Sequence, residues 1–389
     1  MSTVAAGHGG KPAKVKITRE DLLGTEKRWR RFGEPTPAGG SSHEDGTPDH
    51  GLFGPGSVVW EVLLHPATVV FLNAAQAAVQ TKGYSPISAG LRDRDPVARK
   101  ARAGTLNMLD VFDRLSRNSG MHAPMWLGDS KTAKLMAKHL HNIHQRVAGD
   151  VIDVARPELG GYAASGPRDA MWAALTEMHP MLRVYEAFAF RDGRMPHRLP
   201  PEQRDQFIAE SAAYLRLVGA PEEDIPTSMA ELGALYEKYA DLFAPTGTVN
   251  ITPGTGEDWE KLAMETVKRN FHPSHLRALI PYVLQTALVE LPVIGALPAK
   301  TRRSMGIGPR KDKAAVRAAK LFLPIAWLMQ QGPYERYVLR RMWGPDSIRL
   351  LESARRLHEQ TLAQRAMTQL VSEATPAAAT AATATATNR

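Results

Sequence analysis

Apolar residues recur at helical spacing through almost the whole interior of the chain, and runs of alternating Val, Ile and Thr are scarce. The pattern predicts helices over Val58 to Leu64, Val69 to Thr81, Val97 to Arg117, Ser130 to Ala148, Pro167 to Phe190 and Pro201 to Val218. It continues with Ser228 to Asp241, Glu257 to Asn270, His275 to Val289, Ala314 to Gln331 and Tyr334 to Thr368. Start signals support the reading. In Pro200-Pro201-Glu202-Gln203, proline presets φ and the acid suits a helix N-terminus. Ser228 and Glu231 have the spacing of a capping box. Neither coiled-coil heptads nor a repeat of fixed period is present, so the expected fold is all-α, a single large helical domain over residues 51–372.

The flanks differ in kind. Residues 1–50 are rich in Gly, Pro, Ser, His and Asp and read as a flexible N-terminal arm, either mobile or wrapping. Residues 373–389 are almost pure Ala and Thr and read as a disordered tail. The longest apolar window, Leu279 to Leu297, is interrupted by Pro281, Gln285, Glu290 and Pro292, which suits a buried helix ending at a proline better than a membrane span. Met1 to Lys16 lacks the apolar stretch of an export signal, and Arg30-Arg31 precedes Phe-Gly-Glu-Pro, which spoils a twin-arginine signal. The expectation is a cytoplasmic or loosely membrane-associated protein with no transmembrane segment.

Composition narrows the chemistry. The 389 residues include no cysteine, which excludes disulfides, iron–sulfur clusters, thiolate-ligated haem and covalent c-type haem. Lys plus Arg exceed Asp plus Glu by 49 − 40 = 9, a surplus suited to nucleic acid, anionic lipid or an acidic substrate. Its densest runs, at 27–31, 99–102 and 336–341, sit in no nucleic-acid module, so no specific nucleic-acid partner is expected; the plain alternative is a solvated helix face.

Candidate chemistry concentrates in residues 110–149. On one helix, Met136, Leu140, Ile143 and Val147 form an apolar stripe with His144 on its flank, while His139 borders the other flank and His141 faces solvent. His144 is therefore either an inward-facing ligand or an ordinary hydrogen-bonded histidine. Arg114 and Asn118, four residues apart, share a helix face and could orient a polar ligand such as dioxygen or a haem propionate. The alternative is a surface arginine paired with Asp110 or Asp113. Phe53-Gly-Pro-Gly-Ser57 lacks the lysine of a phosphate loop and reads as a turn and helix start. Trp60, Trp172, Trp327, Tyr162 and Tyr185 line a cavity or are plain core.

In order along the chain stand Phe53-Gly-Pro-Gly-Ser-Val-Val-Trp60 with His65-Pro66, then Arg114-Leu-Ser-Arg117, Leu127-Gly128-Asp129 and Ile143-His144-Gln-Arg-Val147-Ala-Gly149. Tyr162-Ala163, Pro167, Trp172, Tyr185-Glu186-Ala-Phe188, Glu210, Leu217-Val-Gly219-Ala-Pro221 and Ile225-Pro226 follow. This series resembles the DUF2236 family, the rubber-oxygenase catalytic domain of bacterial latex-clearing proteins and of the fungal oxygenase of mycophenolic acid biosynthesis, over about residues 50–345.

The resemblance implies a globin-like helical core binding haem b noncovalently, with His144 as the proximal iron ligand and Arg114 in the distal pocket. The family's distal Arg-x-x-x-Thr element carries Asn118 in place of threonine, and the histidine two residues after the tryptophan is Ala174 here. The implied activity is oxygenation of a small apolar, alkene or isoprenoid-like substrate by dioxygen. Two other readings stand beside it: a non-catalytic helical protein that binds haem or a hydrophobic ligand, and a nucleic-acid- or membrane-surface binder using the positive charge. The sequence leaves oligomeric state, electron donor and natural substrate open.

Overall fold

Helix starts are set locally by capping side chains or by a proline in the first turn, and tertiary packing decides where several of the helices stop. The computed structural model describes residues 18, 20, 21, 25, 30–243 and 247–386, the side chains of 276–286 and 373–386 lying outside that description. Ser57 accepts a hydrogen bond from the Trp60 amide and opens α1 (Val58–Leu64). His65 caps α2 (Pro66–Lys82) in the same way, and the two helices meet at 86°. α3 (Ser85–Arg94), which the apolar pattern did not predict, leads into α4 (Pro96–Arg102). The continuous helix expected from Val97 to Arg117 is broken: Ala103 and Gly104 end α4, and a capping box between Asn107 and Asp110 starts α5 (Met108–Leu127).

Asp129 caps α6 (Ser130–His144), after which β1 (Ala148–Gly149) pairs antiparallel with β2 (Tyr162–Ala163). α7 (Pro167–Phe188), α8 (Pro201–Val218), α9 (Met229–Lys238), α10 (Trp259–Arg269) and α11 (Pro273–Ala296) follow. α12 (Ala299–Ser304), α13 (Pro309–Leu321), α14 (Leu323–Met329), α15 (Gly332–Met342) and α16 (Ser347–Ala386) complete the order. α16 runs into the Ala/Thr-rich stretch, where alanine's helix propensity is high. α11 passes through Pro292 to Ala296 instead of ending at a proline. The helix expected from Tyr334 to Thr368 is divided at Gly344, whose φ of +90° turns the chain between α15 and α16.

Among the described residues the fold is all-α apart from the two short strands, with a main hydrophobic core from Ala38 to Ala354 and a small second cluster of Ala78, Ile294 and Ala315. α2 packs along α7 at its centre, with Trp60, Phe71, Trp126, Trp172, Tyr185 and Phe188 buried around them. Trp327 does not join this core; it is 52% exposed on α14. Much of the N-terminal arm lies outside the described residues, but residues 36–49 wrap the junction of α5 and α6. There Ala38 N donates to Leu127 O, Asp129 N to Thr36 O, and Ser130 N to the Asp49 carboxylate.

Candidate functional site

His144 is the last residue of α6, and α6 packs against α5. The apolar stripe expected of α6 is only partly realised. Ala133 and Ala137 are buried and Met136 and Leu140 half-buried, but Ile143 is 45% exposed, and Val147 lies beyond the helix end. His144 itself is half-buried. Burial holds its imidazole below the ordinary histidine pKa; the field of Glu177 and a hydrogen bond to the Ala164 backbone oppose this, and Arg114 and His141 reinforce it. The side chain is thus a neutral imidazole at neutral pH, with the Ala164 backbone near its ring.

Ala164 reaches this position through the strand pair. Its amide donates to Val147 O, directly beyond the register Ala148 to Ala163 and Gly149 to Tyr162. The Tyr162 ring packs on Gly149 so closely that a Cβ there would lie 2.7 Å from Cε1, and the Tyr162 hydroxyl donates to Asp93 at 2.8 Å. The glycine of the His144-to-Gly149 run is therefore a packing requirement. Arg92, fully buried, anchors the next segment by donating to the carbonyls of Val151, Ile152 and Val249.

Arg114 and Asn118 occupy successive turns of α5. Asp95, the N-cap of α4, accepts from Arg114 Nε at 2.6 Å and leaves the side chain 33% exposed. The arginine thus takes neither acid considered from sequence: Asp110 pairs with Lys100, and Asp113 pairs with Arg117 one turn along the helix. Asn118 is half-buried. His139 meets the edge of Phe32 at 4.8 Å, and His141 is exposed beside Gln145. Among the described residues, no three His, Asp or Glu side chains converge to hold a metal.

One polar cluster was not foreseen. Glu177, buried in α7, receives Gln76 Nε2 at 2.7 Å and the Tyr214 hydroxyl at 2.7 Å, and lies 3.0 Å from His122 Nε2. These partners come from α2, α8 and α5, and His122 also stacks on Trp126 at 4.5 Å. His122 follows Asn118 by one turn, so α5 carries Arg114, Asn118 and His122 on consecutive turns. A lone acid within the apolar run 170–182 was the available signal, although it could not name its partners.

The site therefore offers one neutral imidazole, a cation held by an acid, a small amide and a buried carboxyl network, all within a helical body. No curated protein and no solved structure matches the chain. The sequence profile described as "ER-bound oxygenase mpaB/B'/Rubber oxygenase, catalytic domain" matches residues 60–329. That range takes in every site residue above, and the chain belongs to this oxygenase family.

Proposed function

We propose that the protein is a haem b-dependent oxygenase that acts with dioxygen on a small apolar substrate, with His144 as the axial ligand of the iron. The observation that carries this reading is the oxygenase-family match over residues 60–329 together with the half-buried His144 at the end of α6. A single nitrogen donor would suffice for an iron already held by a macrocycle, and noncovalent attachment agrees with a chain that has no cysteine.

When bound, the haem supplies the dioxygen chemistry. The chain supplies position. The Ala164 backbone, which the pairing of β1 with β2 holds beside Val147, would orient the ring of His144 by accepting from its second nitrogen, as outer partners of metal-bound histidines do. Asp95 restrains the Arg114 guanidinium, which would hold a propionate of the bound haem, and Asn118 can donate or accept through its amide. Of the two departures, Asn118 stands one turn from Arg114 and Ala174, on α7, is buried in the core, and a family resemblance does not by itself carry over the substrate of the named relatives.

The test is the absorption spectrum of protein reconstituted with haem, recorded beside His144→Ala in ferric, ferrous and carbon-monoxide-bound forms. A Soret band that moves on reduction, and that the variant loses or regains only with added imidazole, supports the proposal. Absence of haem in the wild type, or equal spectra in both proteins, overturns it. Oxygen uptake with candidate alkenes then separates an oxygenase from a carrier.

A further inference from the structure

The helices after the core leave an apolar face outside. Phe322, with φ −76° and ψ −14°, passes the chain from α13 into α14 on a near-helical path. Its own side chain turns inward, where it meets Phe71 and Phe188 at centroid distances of 5.8 and 6.0 Å. Ala326 and Met329 are buried beside it, and Gln330 Nε2 donates to Phe188 O at 2.9 Å. The inner face of α14 is thereby locked to the core. The outer face carries Leu321 at 79% exposure, Ile325 at 45%, Trp327 at 52% and Leu328 at 63%. Leu321, Ile325 and Leu328 have the i, i+4, i+7 spacing of one stripe. On α11, which packs along α13, Leu288 and Leu291 are also exposed, at 53% and 45%.

Backward along α13, Arg317 and Arg310 continue that stripe while Lys313 and Lys320 flank it, all four exposed. None of the four forms an ion pair with an acid among the described residues. The one acid of α13, Asp312, is taken by Arg302. The surface is thus a rigid apolar patch continuous with uncompensated positive charge, with a tryptophan at its margin. Isolated exposed apolar side chains need no explanation, but a contiguous group on an anchored helix marks an interaction surface.

We propose that the outer face of α13 and α14 is a docking surface for anionic lipid, with Leu321, Ile325, Trp327 and Leu328 entering the interfacial layer and Lys313, Arg317 and Lys320 meeting the headgroups. Tryptophan is favoured at that depth because its ring is apolar and its N–H polar. Charge decides between occupants: a two-fold contact between copies would bring the cations of both stripes together, whereas an anionic bilayer neutralises them. The proposal is independent of the role given to His144.

The experiment is co-sedimentation of the full chain with vesicles of phosphatidylcholine alone and of phosphatidylcholine with phosphatidylglycerol, at low and raised salt. The wild type should bind the anionic vesicles and release them as salt rises. Leu321→Ser with Leu328→Ser, and separately Lys313→Glu with Arg317→Glu and Lys320→Glu, should each lower the bound fraction about tenfold or more. Both variants should unfold at the wild-type temperature. Binding should shift the tryptophan emission to shorter wavelength, and Trp327→Phe should remove that shift. Failure to bind anionic vesicles, or binding indifferent to both sets of substitutions, overturns the proposal. A concentration-dependent dimer in sedimentation velocity that Leu321→Ser with Leu328→Ser disperses also overturns it, making the face a contact between copies.

Discussion

Tyr214 donates its phenolic hydrogen to Glu177 at 2.7 Å, tying α8 to the middle of α7. Gln76 and His122 reach the same carboxyl group from α2 and α5, so four helices share one buried polar node. Burial, and after it the charge of Glu177, pushes the Tyr214 hydroxyl well above the ordinary tyrosine range, so this donor keeps its proton throughout the accessible pH range. The node lies close enough to His144 for Glu177 to act on its ionisation.

Glu177→Ala should cost about 3 kcal/mol of stability, because it strands three buried polar partners at once. Glu177→Gln keeps the shape and one acceptor oxygen and should cost roughly half as much. Urea unfolding with unchanged slope measures both. A loss of under about 1 kcal/mol in the alanine variant would show that the node does not hold the helices together.

Gly149→Ala should displace the Tyr162 ring, since the added Cβ would stand 2.7 Å from Cε1. Overpacking of this kind costs about 1–3 kcal/mol. The shift also moves β2 and with it Ala164, so, on the proposed haem-binding reading, the variant should lose affinity for haem by more than its stability loss explains. A haem titration beside a thermal melt checks this; unchanged affinity would detach Ala164 from the site.

Acid should destabilise the protein through His179. Burial, then Arg183 and Arg204, lower its pKa in the folded protein to about 3, against 6.5 in an unconstrained chain. Between those values the unfolded chain binds the proton and the folded one does not. The stabilising contribution is therefore complete above pH 6.5 and declines as pH falls towards 3. Its slope approaches about 1.4 kcal/mol per pH unit. His179→Gln can keep the contact with the Tyr236 hydroxyl, 3.2 Å away, without titrating, and should flatten this part of the profile. An unchanged profile in urea midpoints from pH 7 to pH 4 would exclude His179 as the source.

The helical class, most helix starts and the family's ordered motifs were legible in the sequence, because capping, proline geometry and the 3.6-residue period act over a few neighbouring residues. So were His144, Arg114 and Asn118 as residues to place. Their surroundings were not. Asp95 takes Arg114, although two acids on the arginine's own helix stood nearer in the chain, and Ala164 reaches His144 only through the pairing of β1 with β2.

Gln76, His122 and Tyr214 meet at Glu177 across separations of 101, 55 and 37 residues, and no local pattern specifies such a meeting. The same limit explains Ile143 and Trp327, which were read as inward-facing or core but whose side chains face outward. Local spacing by itself determined which residues share a helix face. Only the tertiary structure decided which faces are covered, because coverage depends on partners brought from distant parts of the chain.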